Sequence, residues 1–414
     1  MPQKLALLGG KPTRARSFSS WPLFGKAEER ALLRSLRSGK WGSLHGPEVA
    51  RFEKGFAAAH GCKHAIAVAN GTVSLRIGLL AAGLRAEDEV IVPPYTFFST
   101  ASAVVEANMV PVFADIALDT FNLEPAAVEA AITPRTRALI PVHFAGQVAE
   151  MDVLMGIARK HKLFVFEDAA HAHGATYKGQ PAGSLGHLAS FSFQSSKNLT
   201  AGEGGILTTN DDKLAERCRA IRNCGRVPGG LWYEHHVLSG NYRLGEFQGA
   251  ILNAQLVRLA GQTRRRDVNG KYLASRLARL PGVHPQRRTT DCTRHSYHLF
   301  MLRLDGEVFG APRAAVLQAL RAEGIPCSAG YGFSLHQQPF FRNKAFGPFL
   351  MNASLNLNYD QTCCPNSDLI CHDQCIWLEQ NLFLGPRSDI DDIASAFEKV
   401  FENREALNQW ATNR

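Results

Sequence analysis

Between residues 62 and 209, short apolar runs alternate with stretches whose apolar residues recur every three or four positions. The runs cover 65–69, 89–92, 110–113, 138–142, 163–166, 188–193 and 205–209. They are short for helices and too uniformly apolar to keep one face wet, so they predict strands buried on both sides. The helical stretches between them are 73–84, 101–108, 124–132 and 151–161. This alternation predicts an α/β fold built on a large, mostly parallel sheet. Two helices, 26–38 and 48–60, precede it behind an extended arm rich in glycine and proline. Beyond it come a helix at 211–223, an irregular loop at 224–230, a long apolar-rich helix at 247–260 and a helical continuation over 262–280. A strand at 297–304, a helix at 311–323, a turn at 330–332 and a last helix at 389–403 read as a smaller C-terminal α/β domain. The expected organisation is an arm over 1–25, a large domain over 26–260 and a small domain over 261–414.

In a parallel sheet, ligands sit beyond the carboxyl ends of the strands. Asn70-Gly71-Thr72, Tyr95-Thr96-Phe97, His143, Asp168 and the segment from Ser192 to Lys197 all fall there. Strand, Gly-Thr, then helix suits a phosphate, because the first helical N–H groups have no partner within the helix and point at the anion. The same tripeptide alone is equally a turn and a cap. Asp168 alone is a common N-cap, and Lys197 alone a solvated charge. Their combination is more specific. Pyridoxal phosphate needs a lysine to form a Schiff base and a carboxylate to keep its pyridine nitrogen protonated, which makes the ring an electron sink.

Composition narrows the class. The chain has 414 residues, 45% of them hydrophobic and 20% charged, as in ordinary soluble enzymes. It contains no apolar run long enough for a transmembrane helix, and its N-terminal apolar segment is short for a signal peptide, so a cytoplasmic enzyme without a membrane partner is expected. The net charge of +9 includes Arg264-Arg265-Arg266 and Arg287-Arg288. Without interleaved aromatics these read as a solvated basic face or an attraction for a phosphorylated ligand, not as a nucleic-acid site. Nine cysteines, an odd number, argue against a disulfide framework. Cys363, Cys364, Cys371, His372 and Cys375 cluster, and Cys371 and Cys375 would share the face of an amphipathic helix. Paired C-x-x-C spacing is missing, so no metal site is expected.

Taken together, these motifs resemble the DegT/StrS family of pyridoxal-phosphate-dependent sugar and cyclitol aminotransferases over nearly the whole chain. The matching pieces are Asn70-Gly71-Thr72, residues 89–93 with Thr96-Phe97, Pro141-Val142-His143, residues 167–174, Phe191 through Lys197, residues 201–205, and Gly240-Asn241-Tyr242-Arg243-Leu244 with Glu246. The resemblance implies the aspartate-aminotransferase-like fold (fold type I of pyridoxal phosphate enzymes) and a homodimer with shared active sites. It implies Lys197 as the Schiff-base lysine and Asp168 as the partner of the pyridine nitrogen. Phe97 would stack on the cofactor ring, while Gly71, Thr72 and Ser192 bind its phosphate. Asn241 would reach the phosphate of the other subunit, and His171 the cofactor's phenolic oxygen. The implied reaction moves an amino group from an amino-acid donor, glutamine or glutamate, to a keto-sugar or keto-cyclitol.

Two branches of the family fit. The opening Leu-Gly-Gly-Lys-Pro and the Gly-Ile-Pro-Cys-Ser around Cys327 lean toward cyclitol aminotransferases of aminoglycoside antibiotic pathways. Phe97, where that branch more often carries Trp, leans toward 3-amino-5-hydroxybenzoate synthases, so an enzyme that both aminates and dehydrates is the alternative. Family dehydratases replace the lysine with histidine. Retained Lys197 and Asp168 also weigh against a non-catalytic regulatory protein on the same fold.

Overall fold

The computed structural model describes residues 3–227, 229–352 and 355–413. Its main sheet has seven strands: β1 (His64–Val68), β2 (Glu89–Val92), β3 (Val110–Phe113), β4 (Thr136–Leu139), β5 (Phe164–Asp168), β6 (Leu188–Ser192) and β7 (Gly205–Thr209). They lie in the order β1-β7-β6-β5-β4-β2-β3. β2 runs parallel to β3 and β4, β4 to β5, and β5 to β6. β7 alone is reversed, pairing antiparallel with both β6 and β1. Because β7 lies between them, β1 points the same way as the parallel strands. The carboxyl ends of β1, β2, β5 and β6 therefore share one edge.

Both faces of the sheet are covered, and strand alternation sorts side chains between them. Ala65, Ile91, Val165 and Ala189 pack with Phe52 and Phe56 of α2 (Glu48–Ala59), which follows α1 (Lys26–Ser38). Ile66, Val90, Phe166 and Leu188 pack on the other face with Leu75 and Leu79 of α3 (Gly71–Ala81) and Val104 of α4 (Ser99–Glu106). Another helix, α5, spans Met151–His161. The near-continuous apolar strands follow from this two-sided burial.

The helices expected at 247–260 and 262–280 are one rod, α6 (Glu246–Leu277), of 32 residues and about 48 Å. The boundary expected at 260/261 falls inside it. A proline-free sequence lets the helix run on, and its internal Gly270 has a packing reason, since a Cβ there would lie 2.5 Å from the Tyr297 ring. Its far half supports a three-stranded antiparallel sheet of β8 (Val283–Pro285), β9 (Leu299–Leu304) and β10 (Cys375–Glu379), in that order. α7 (Arg387–Glu402) closes the same core through Ile393 and Phe397.

Two expectations are corrected here. Cys371 and Cys375 do not share a helix face: Cys371 sits in a π-helical turn and Cys375 opens β10, where pairing with β9 overrides the helical pattern. The arginine run is not a uniformly solvated face either. Arg264 and Arg265 are exposed, but Arg266 is fully buried because the helix turns it inward. Among the described residues, no group of three or more His, Cys, Asp or Glu is placed to hold a metal ion, and no helix is long and apolar enough to cross a membrane.

Candidate active site

A cavity of about 870 Å³ opens at the carboxyl edge of the sheet. Gly71, Thr72, Phe97, Asp168, His171, Ser192 and Lys197 all line it. At one end, Asn70 caps α3, its side chain accepting from the Val73 N–H at 2.9 Å. The N–H groups of Gly71 and Thr72 are left facing the cavity, as a helix N-terminus presents them to an anion. The cradle is tight. A Cβ on Gly71 would lie 2.8 Å from Ser192 Cβ, and one on Gly205 would lie 2.4 Å from the Asn70 carbonyl oxygen. Glycine at both positions lets β1, β7 and the tip of β6 converge. Thr72 Oγ1 shares a 2.6 Å hydrogen bond with Ser99 Oγ, which brings a further hydroxyl to this end.

Asp168 ends β5 on the cavity floor and is buried. Its Oδ2 accepts from the Thr100 hydroxyl at 2.8 Å and its Oδ1 from the Ala170 N–H at 3.2 Å. Burial raises its pKa, while these two donors and the attraction of Lys197 and His143 oppose the rise. A buried carboxylate held in this way is suited to a cationic ring nitrogen.

Lys197 follows a turn in which its own N–H donates to the Gln194 carbonyl at 2.9 Å. Gly202 and Gly204, with φ of +84° and +153°, return the chain into β7 in conformations that a side chain would strain. By area Lys197 is only half-buried, yet the surrounding protein desolvates its amine and lowers the pKa to about 8 against the attraction of Asp168. Its Nζ bonds to no described residue. His171 is buried against His298, with ring centroids 4.2 Å apart. Burial, together with Lys197 and His173, keeps its pKa well below the ordinary value, so the ring is neutral. The Ala145 N–H donates to Nδ1 at 3.3 Å, which leaves the ring proton on Nε2 as a donor. Phe97 lines the cavity and is 59% exposed.

Not every strand-end residue joins the site. His143 pairs with Glu167 at 2.8 Å, and Glu167 also accepts N–H groups from Gly183, Leu185 and Gly186. Strand alternation sends Glu167 away from the cavity and Asp168 into it. Asn241 lies outside this cavity and is exposed, its side-chain oxygen accepting from the Arg243 N–H at 3.3 Å. Sequence reasoning missed Thr100 and Gln380. Thr100 had a signal, lying one helical turn after Thr96, to which it bonds at 3.1 Å. Gln380 had none, because only the small sheet brings it to the cavity.

Residues 23–378 match the model of the DegT/DnrJ/EryC1/StrS aminotransferase family. The chain belongs to this family. It is 37% identical to the L-glutamine:2-deoxy-scyllo-inosose aminotransferase of Streptomyces paromomycinus, over 97% of this chain and 98% of that protein. It is also 37% identical to the 3-amino-5-hydroxybenzoate synthase of Amycolatopsis mediterranei, over 91% and 95% of the two chains. The crystal structure of a 3-amino-5-hydroxybenzoic acid synthase superposes with a TM-score of 0.83 at 36% identity, covering 94% of this chain and 99% of that one. The protein is a pyridoxal-phosphate-dependent aminotransferase of fold type I. The cavity fits the cofactor: a glycine cradle with free N–H groups at one end, a buried carboxylate on the floor, and a lysine with a depressed pKa.

Proposed function

We propose that this aminotransferase moves the amino group of L-glutamine to a keto-cyclitol. The meeting of Lys197 and Asp168 on one cavity, with the phosphate cradle at its end, carries the reading of the site. The donor and acceptor classes are those in the names of its scyllo-inosose relatives. In this reading Gly71, Thr72 and Ser192 hold the cofactor phosphate, Phe97 covers the ring, and His171 Nε2–H donates to the phenolic oxygen. Pyridoxal phosphate bound there withdraws electrons from the carbon that carries the amino group.

Asp168 would face the ring nitrogen as its carboxylate partner and hold its proton there, which would stabilise the withdrawn charge. The pKa of Lys197 near 8 leaves part of its amine neutral at physiological pH, able to take the proton from the donor's α-carbon and return it. The same groups serve in reverse when the ketone arrives.

A homodimer completes the reading. Asn241 stands outside its own chain's cavity, and the loop before it exposes Trp232, Tyr233 and Leu238, an apolar surface that a second copy would cover. Phe97 supports a second reading, a benzoate synthase that aminates and dehydrates. Mixing the purified enzyme with L-glutamine and then with keto-cyclitols, nucleotide-linked keto-sugars or a cyclic hydroxy-keto carboxylate able to aromatise by losing water separates these. Reoxidation of the amino form of the cofactor by a keto-cyclitol, without loss of water from the product, is the expected result. An aromatic product would overturn it in favour of the synthase.

A further inference from the structure

Arg266 is fully buried on α6, and no carboxylate among the described residues pairs with it. Its Nη1 has no hydrogen-bond partner among them, and burial alone lowers its pKa to about 9. A buried, unpaired guanidinium is costly, so a compensating role is to be looked for. Two of its neighbours are walls of the active-site cavity. Its guanidinium lies over the Trp21 ring, 5.3 Å from the centroid, and Nη2 donates to Gln380 Oε1. Nε donates to the Gln380 carbonyl at 3.4 Å.

An arginine only donates, so this contact fixes the glutamine amide: Oε1 faces Arg266 and Nε2 faces away. Gln380 lines the cavity, and its Nε2 bonds to no described residue. The wall therefore presents an N–H donor polarised from behind by a buried positive charge. Among the described residues, Lys197 is the one lysine or arginine lining the cavity, and in the reading above it is committed to the cofactor. Glu106, Glu203 and Glu379 also line the cavity, but all three are exposed and screened by solvent.

Resting on the amino-donor reading above, we propose that Gln380 binds the carboxylate of the amino-acid donor, with Arg266 as its positioning residue. An anion gains from the relayed charge, whereas a neutral polyhydroxylated ketone gains little. Trp21, whose Nε1–H donates to the Ser195 carbonyl at 3.0 Å, ties the same guanidinium to the Lys197 loop and closes the third side.

Two non-reacting probes test this by calorimetry on the cofactor-loaded enzyme: 4-carbamoylbutanoate, which is glutamine without its amino group, and its neutral diamide, pentanediamide. The wild type should bind the carboxylate at least about tenfold more tightly, the gain of a charge-assisted hydrogen bond. Gln380→Glu keeps a partner for Arg266 but places an anion at the wall, and should bring the ratio to one or below. Arg266→Met leaves Gln380 in place but removes the charge, and should lower the ratio in part. The visible absorption of bound cofactor checks that each variant is folded and loaded. In kinetics, Gln380→Glu should raise the L-glutamine concentration needed for half-maximal conversion by about tenfold or more, with a smaller effect on acceptor saturation. Equal binding of the two probes to the wild type, or an unchanged ratio in Gln380→Glu, would overturn the assignment. A wild type that separates the probes but is not converted by any amino acid would instead count against the aminotransferase reading and leave the carboxylate site standing.

Discussion

Thr100→Val tests whether the carboxylate of Asp168 is held ready by its surroundings. Valine matches threonine in shape and deletes one hydroxyl. That hydroxyl donates to Asp168 Oδ2 at 2.8 Å and lies 3.1 Å from Thr96 Oγ1. A hydrogen bond to a charged group contributes about 1.5–3 kcal/mol, so its loss should slow turnover roughly tenfold to a hundredfold. The cofactor-free protein gives an independent readout. Burial already raises the Asp168 pKa, and the Thr100 hydrogen bond is the first influence opposing it. A carboxyl whose folded pKa is raised contributes stability that is full below the unfolded value and lost as pH rises through the folded value. Removing Thr100 raises the folded value further. The apo variant should therefore lose most stability near neutral pH and approach the wild type in acid, as denaturant titrations at several pH values would show. Thr100→Ser keeps the hydroxyl and should retain most of the activity. A valine variant with wild-type rate, or a serine variant as damaged as the valine one, would refute the role given to this hydrogen bond.

Lys197→Ala should abolish transamination, read as loss of conversion of the cofactor to its amino form by L-glutamine. In the wild type, the acceptor half-reaction needs the neutral amine, so its rate should rise with pH and level off above about 8; a pH-independent rate would contradict this. Gly71→Ala puts a Cβ 2.8 Å from Ser192 Cβ. The forced separation should cost about 1–3 kcal/mol, appearing as weaker cofactor binding in a fluorescence titration. If Asn241 completes the partner's phosphate site, Asn241→Ala should weaken cofactor affinity by about 1–3 kcal/mol, and cofactor removal should promote dissociation on dilution in sedimentation runs; equal dimer constants with and without cofactor would sink the shared site.

Much of the fold was legible because its signals are local. The seven strands and the helices beside them announce themselves by apolar period, and the cradle by Asn70-Gly71-Thr72 after a strand. Lys197 and Asp168 stood out because few residue types can do this chemistry, and one ends a strand while the other lies in the loop that follows one. The helical continuation beyond residue 260 was legible in the period, and since glycine weakens a helix by only about 1 kcal/mol, packing on both halves of α6 keeps Gly261 inside one rod. Period misled at Cys371–Cys375, where strand pairing with β9 decided the conformation.

What the sequence determined by itself is the identity of the reactive groups and the order of the elements that carry them. The tertiary structure alone decided which way each group faces and what it meets. Adjacent Glu167 and Asp168 differ by one residue in a strand, so one is buried against His143 and the other faces the cofactor cavity. Arg266 and Gln380 lie 114 positions apart and carry no shared motif, yet the fold buries them together in hydrogen-bond contact. Local pattern records periodicity. It does not record the long-range contacts that turn a buried charge toward one wall of a cavity.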